Sequence, residues 1–105
     1  MLYAVMFWVS YPVVSSSASS HDFSMAKPSP NHSGNPALTA IGKVVKELRI
    51  EAGLSQEALA HDAGIDRSYM GGIERGEHNL TIISLIKICR CLKISFSSLL
   101  TRANL

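Results

Sequence analysis

The chain has 105 residues, which leaves room for one domain, and its charge is close to balanced: ten Lys or Arg against eight Asp or Glu, a formal net charge of +2. Mild basicity permits nucleic-acid binding without establishing it, because where the charge sits matters more than its sum. Cys89 and Cys91 stand one residue apart in an apparent helix and cannot bridge each other, so a secreted disulfide-stapled mini-protein is excluded and a reducing compartment fits.

Residues 1–36 differ in composition from the rest. Met1 to Val14 is apolar and uncharged, Ser15 to Ser20 is almost pure serine, and the stretch to Pro36 mixes Pro, Ser, Asn, His and Gly without periodicity. The apolar run is too short, and too interrupted by Pro12, to span a bilayer. It also lacks the basic start and small-residue cleavage site of a signal peptide. The extension is read as disordered or as the product of a start placed too early, with Met25 beginning the protein; a targeting or membrane-contact role stays open. Residues 15–36 are expected to be disordered, since they bury too little apolar surface to offset chain entropy. The folded domain is then 37–105.

From about Ala37 to Ala52, Leu38, Ile41, Val44, Val45 and Leu48 recur at three- and four-residue steps, one apolar stripe of a first helix. Gly53 ends it. Ser55 caps a second helix, Gln56 to Ala63, which Gly64 closes in a turn that needs positive φ. Asp66 caps a third, Arg67 to Arg75. Leu59, Ala60, Met70 and Ile73 are the core residues of this pair. Thr81 caps a fourth helix, Ile82 to Leu92, with Leu85, Ile88, Cys89 and Leu92 inward, and a short fifth runs from Phe96 to Arg102 after Ser95. No strand-like alternation occurs from 37 onward. The fold class is all-α, with five helices.

Two short helices about a glycine turn form a helix-turn-helix, whose second helix lies in the DNA major groove. With Met70 and Ile73 inward, the opposite stripe of Arg67, Ser68, Gly71, Gly72 and Arg75 is expected to face outward. Arg67 is the first candidate for base readout, since its fork spans O6 and N7 of guanine at about 1–3 kcal/mol of discrimination. Ser68 can bond a base edge or phosphate, and Tyr69 flanks them. Gly71 and Gly72 each cost roughly 1 kcal/mol against alanine inside a helix. They either let DNA approach closely, which assigns them to the base contacts, or mark a frayed helix end.

In register, GLSQ, Ala60, Gly64, Ile73 and the IERG ending make residues 38–100 resemble the phage-repressor and Cro-like helix-turn-helix regulators, the XRE family. The run DRSYMGGIERGEHN (66–79) is most similar to the controller proteins of restriction–modification systems. The resemblance implies a phosphate clamp at Gln56; Ser55, Arg75, Asn79 and Lys43 are further candidates for phosphate contact. It implies a forked ion pair between Arg49 and Glu74 that locks the motif to the first helix. It also implies a two-fold interface near the last helix, here Ile94, Phe96, Leu99 and Leu100, setting two recognition helices about 34 Å apart on a near-palindromic duplex. Leu80, Lys93 and Met70 depart from the family pattern, and Lys93 stands where glycine is common.

The function so implied is a homodimeric, sequence-specific transcription regulator in a bacterial or phage setting, cytoplasmic and nucleoid-associated, of a restriction–modification operon. A phage-type repressor, an antitoxin autorepressor or an adaptor that has lost DNA binding are the alternatives. No catalytic set, cofactor, small-molecule substrate or membrane partner is expected. Cys89, Cys91, His61 and His78 are not read as a metal site, because Cys-x-Cys thiols on one helix point about 200° apart.

Overall fold

In the computed structural model, residues 27–105 are described. They form five α-helices: α1 (Pro36–Glu51), α2 (Gln56–Ala63), α3 (Arg67–Glu74), α4 (Ile82–Cys91) and α5 (Phe96–Arg102). No strand occurs among the described residues. The expectation for residues 1–26 lies outside them.

Each helix begins on a side-chain cap. Asn35, Ser55, Asp66, Thr81 and Ser95 accept from amides of the first turn at 2.9–3.2 Å. Such caps satisfy otherwise orphaned donors and contribute about 1 kcal/mol each. The helix ends share a device too. Residues 53, 64, 76, 93 and 104 all have positive φ, and the amide of the next residue closes back onto the last turn, as Ile65 N–H does on Ala60 O at 2.8 Å. Gly64 supplies this conformation cheaply at the α2–α3 turn. After α4 the same task falls to Lys93, φ 56°, the position where the resemblance puts glycine.

The helices close around one core. Val45, Leu59, Met70, Ile73, Ile88 and Leu99 are fully buried, joined by Ile41, Val44, Ala60, Ala63, Leu85 and Cys89. Each large aliphatic removed from water contributes about 1.5–3 kcal/mol. Helix α3 packs on α1 and α2, α2 on α4, and α5 on α1 and α4. The crossing of α1 and α3 is close: a Cβ at Gly42 would press into the backbone carbonyl of Ile73 and lie 2.7 Å from that of Glu74.

Two expectations are corrected here. Residues 27–36 are not structureless. Ser29 N–H donates to Glu77 O at 2.7 Å, Gly34 N–H to Gly76 O at 2.9 Å, and Asn79 N–H to Ser29 Oγ at 3.2 Å. Paired backbone groups, rather than buried apolar surface, fasten this segment to the loop after α3. Leu99 is also reassigned: it is fully buried within the single chain and cannot serve a partner. Ile94, Phe96 and Leu100 remain half-buried against the core.

Candidate nucleic-acid interface

Helices α2 and α3 meet through Gly64, Ile65 and Asp66, and the amino end of α3 projects from that turn. Arg67 and Ser68 occupy its first two positions and are exposed. Asp66 fixes this end: its Oδ2 accepts from Ser68 N–H at 3.0 Å, Tyr69 N–H at 3.2 Å and Ser68 Oγ–H at 2.7 Å. The serine hydroxyl, already donating to Asp66, meets an incoming group chiefly as an acceptor.

Tyr69 is half-buried, its ring against that of His78 with centroids 4.5 Å apart. Burial raises the Tyr69 phenol above its ordinary pKa and lowers the His78 imidazole below its own. His78 is buried, and its ring occupies the place where a Cβ on Gly72 would stand.

The outward stripe is therefore corrected. Gly71 and Gly72 are both buried, and neither offers bare backbone to a duplex. Gly72 is covered by His78, while Gly71 lies under side chains, its would-be Cβ 3.1 Å from Arg75 Nη1 and 3.6 Å from Gln56 Oε1. Helical spacing gives the angle of a residue around its helix but not what a later loop folds over it. The His78 ring accounts for Gly72, whereas at Gly71 the neighbour is only the far end of the flexible Arg75 side chain.

Beneath the surface lies the pair of Arg49 and Glu74. Arg49 Nε donates to Glu74 Oε2 at 2.7 Å and Nη2 to Oε1 at 3.2 Å, the fork suited to a carboxylate. Arg49 Nη1 also donates to Leu54 O at 2.8 Å. The network extends further than the sequence implies, since Gln56 Nε2 donates to Glu74 Oε1 at 2.9 Å. One buried carboxylate thus joins α1, the start of α2 and the end of α3.

The remaining candidates are dispersed around this unit. Ser55 and Gln56 sit at the amino end of α2, Ser55 exposed and Gln56 half-buried. Arg75 is exposed and forms a fork with Glu77, Nε to Oε2 at 2.8 Å and Nη2 to Oε1 at 3.2 Å. This pairing holds the arginine pKa up and the glutamate pKa down. Lys43 is exposed on α1, and Asn79 is exposed beside Ser29. The contacts of His78, Glu77 and Ser29 were not anticipated. The glycine at 72, six residues before a histidine, was the one available hint.

Burial raises the Cys89 thiol to about 11 and raises that of Cys91 as well. Both therefore stay protonated near neutrality, poorly suited to metal or redox chemistry. Among the described residues, no group of three or more His, Cys, Asp or Glu is placed to hold a metal ion, and no helix is long and apolar enough to cross a membrane.

Comparison with known proteins places this geometry in a family. The model described as Helix-turn-helix matches residues 45–99. Control protein C.SmaI of Serratia marcescens is 43% identical over 61 residues, 58% of this chain and 73% of that protein. Control protein C.MunI of a Mycoplasma species is 39% identical over 66 residues, 62% of this chain and 89% of that protein. The crystal structure of the restriction-modification controller protein C.AhdI from Aeromonas hydrophila matches with a TM-score of 0.58 at 44% identity, over 59% of this chain and 94% of that one. The turn at Gly64, the capped and exposed start of α3 and these likenesses agree: the chain belongs to the helix-turn-helix family of transcription regulators and is homologous to restriction–modification controller proteins.

Proposed function

We propose that this protein is a sequence-specific DNA-binding regulator, acting in the cytoplasm as a homodimer on the operon of a restriction–modification system. The observation that carries the reading is the exposed Arg67–Ser68 pair at the amino end of α3, on a helix locked to its neighbours by a buried carboxylate. A reading helix already fixed against its neighbours need not be ordered on binding.

In this reading α3 enters the major groove with Arg67 forked onto a guanine, Ser68 accepting from a base edge and Tyr69 lying against a phosphate or thymine methyl. Ser55, Gln56, Arg75, Asn79 and Lys43 surround that helix as phosphate contacts. Gln56 is the best prepared of these, because Glu74 already holds its amide. Gly71 and Gly72 take no direct part. The two-fold interface uses Ile94, Phe96 and Leu100, half-buried in the single chain. Pairing would set two copies of α3 about one duplex turn, roughly 34 Å, apart.

Selection of bound sequences from a random duplex pool at fixed salt tests the reading. A near-palindromic consensus is expected. Arg67→Ala should relax base preference at one position of each half-site, while Gln56→Ala should weaken binding to all duplexes alike. A pool that returns no enriched sequence would count against the regulator reading.

A further inference from the structure

The contacts of Arg75 bear on how the interface distinguishes one duplex from another, and the inference rests on the DNA-binding reading above. Arg75 stands at the carboxyl end of α3 and reaches back over Gly71 toward Gln56. Two of its nitrogens are occupied by Glu77. The side chains of the pair differ in freedom: 60% of Arg75 is exposed against 26% of Glu77. The backbone of Glu77 is fastened at both ends, its N–H to Gly72 O at 2.9 Å and its carbonyl to Ser29 N–H at 2.7 Å. The carboxylate is the more enclosed member of the pair and the guanidinium the more exposed one.

We propose that Glu77 is a positioning residue, holding Arg75 in a charge-neutral pair so that it meets phosphate only when the rest of the interface is seated. Beside Gln56, whose amide is tied to Glu74, the guanidinium of Arg75 then presents no unbalanced charge at rest. A phosphate of a mismatched duplex must displace Glu77 and tolerate its nearby negative charge. An exposed pair is weak, worth about 0–1 kcal/mol, so a well-seated duplex can release it. The pair therefore withholds the Arg75 contact from a loose complex and takes a small, fixed cost from a matched one.

The test compares the full chain, Glu77→Gln, Arg75→Ala and the double variant. Fluorescence anisotropy is measured on a random-sequence duplex and on the best duplex from the selection, each across a salt series. Glu77→Gln should bind the random duplex several-fold tighter at low salt. Its plot of log affinity against log salt should steepen by about 0.9, the contribution of one added phosphate contact, which is an extra loss of about 3.5-fold between 50 and 200 mM salt. The selected duplex, whose complex has already released Arg75, should gain affinity with its salt slope unchanged. Combining Arg75→Ala with Glu77→Gln should abolish the gain. An unchanged salt slope in Glu77→Gln overturns the inference while leaving the regulator reading intact. So does a gain that persists without Arg75, since it would come from long-range charge. A parent chain that binds neither duplex overturns both.

Discussion

Removing the Arg49 guanidinium should bring the domain close to unfolding, whereas removing the whole ion pair should not. Arg49 and Glu74 are 9% and 8% exposed, and three of the bonds that hold them come from the arginine itself, two to Glu74 and one to Leu54 O. In Arg49→Met the methionine fills much of the space, but the Glu74 carboxylate keeps only Gln56 as a partner. Leaving one buried charge uncompensated costs about 3–5 kcal/mol. A domain of roughly eighty residues has only about 4–12 kcal/mol to lose, at about 0.05–0.15 kcal/mol per residue. The double variant Arg49→Met/Glu74→Leu removes both charges and strands only the Leu54 carbonyl and the Gln56 amide, both half-buried, at about 1–2 kcal/mol in total. Urea unfolding followed by helical circular dichroism reads these values for the parent, both single variants and the double. The double should be more stable than Arg49→Met by about 2 kcal/mol. A single variant that loses less than about 1 kcal/mol, or a double that loses the sum of the singles, would refute the reasoning.

Three further outcomes are expected. Gly42→Ala should lower the melting temperature even though alanine favours helix by about 1 kcal/mol, because its methyl meets the carbonyls of Ile73 and Glu74, rigid backbone that cannot rotate away. An unchanged or higher melting temperature would contradict the close crossing. Lys93→Gly should stabilise by about 1 kcal/mol, as the side chain is held at φ 56°; a thermal scan should rise by about 4–8 °C, and a fall would contradict it. Stability should decline on acidification through the histidine range. Burial lowers the His78 pKa below 6.5, so the unfolded chain takes up that proton first and stability rises with pH across the window. Urea midpoints at about pH 7.5 and pH 5.5 should differ less in His78→Asn than in the parent, and equal differences would remove His78 as the cause.

Much of the scaffold was legible because capping and periodicity are local. Ser55, Asp66 and Ser95 each precede the helix they were expected to cap, and α2 and α5 begin and end where the residue pattern places them. Val45, Leu59, Met70, Ile73 and Ile88 follow from the apolar stripes and are all buried. Burial produced by later chain was not legible. The outer side of α3 reads as open from its own residues, yet His78 folds over Gly72 and the Arg75 side chain over Gly71. Leu99 shows a related ambiguity, since an apolar stripe looks the same whether it faces its own core or a partner's. The bonds of the Ser29 and Gly34 amides to the loop after α3 join backbone to backbone, and such bonds leave no mark in side-chain type.

That last attachment changes where the domain can be cut. Excising a fragment at residue 37, where helical periodicity starts, would remove the Asn35 cap and leave the carbonyls of Gly76 and Glu77 bare. Those carbonyls belong to the loop that leaves α3. A trimmed fragment would thus be wounded beside the surface proposed to meet a duplex, and a poor binding result from it would report the excision site rather than the intact chain. Any recombinant fragment intended for binding work should retain Ser29.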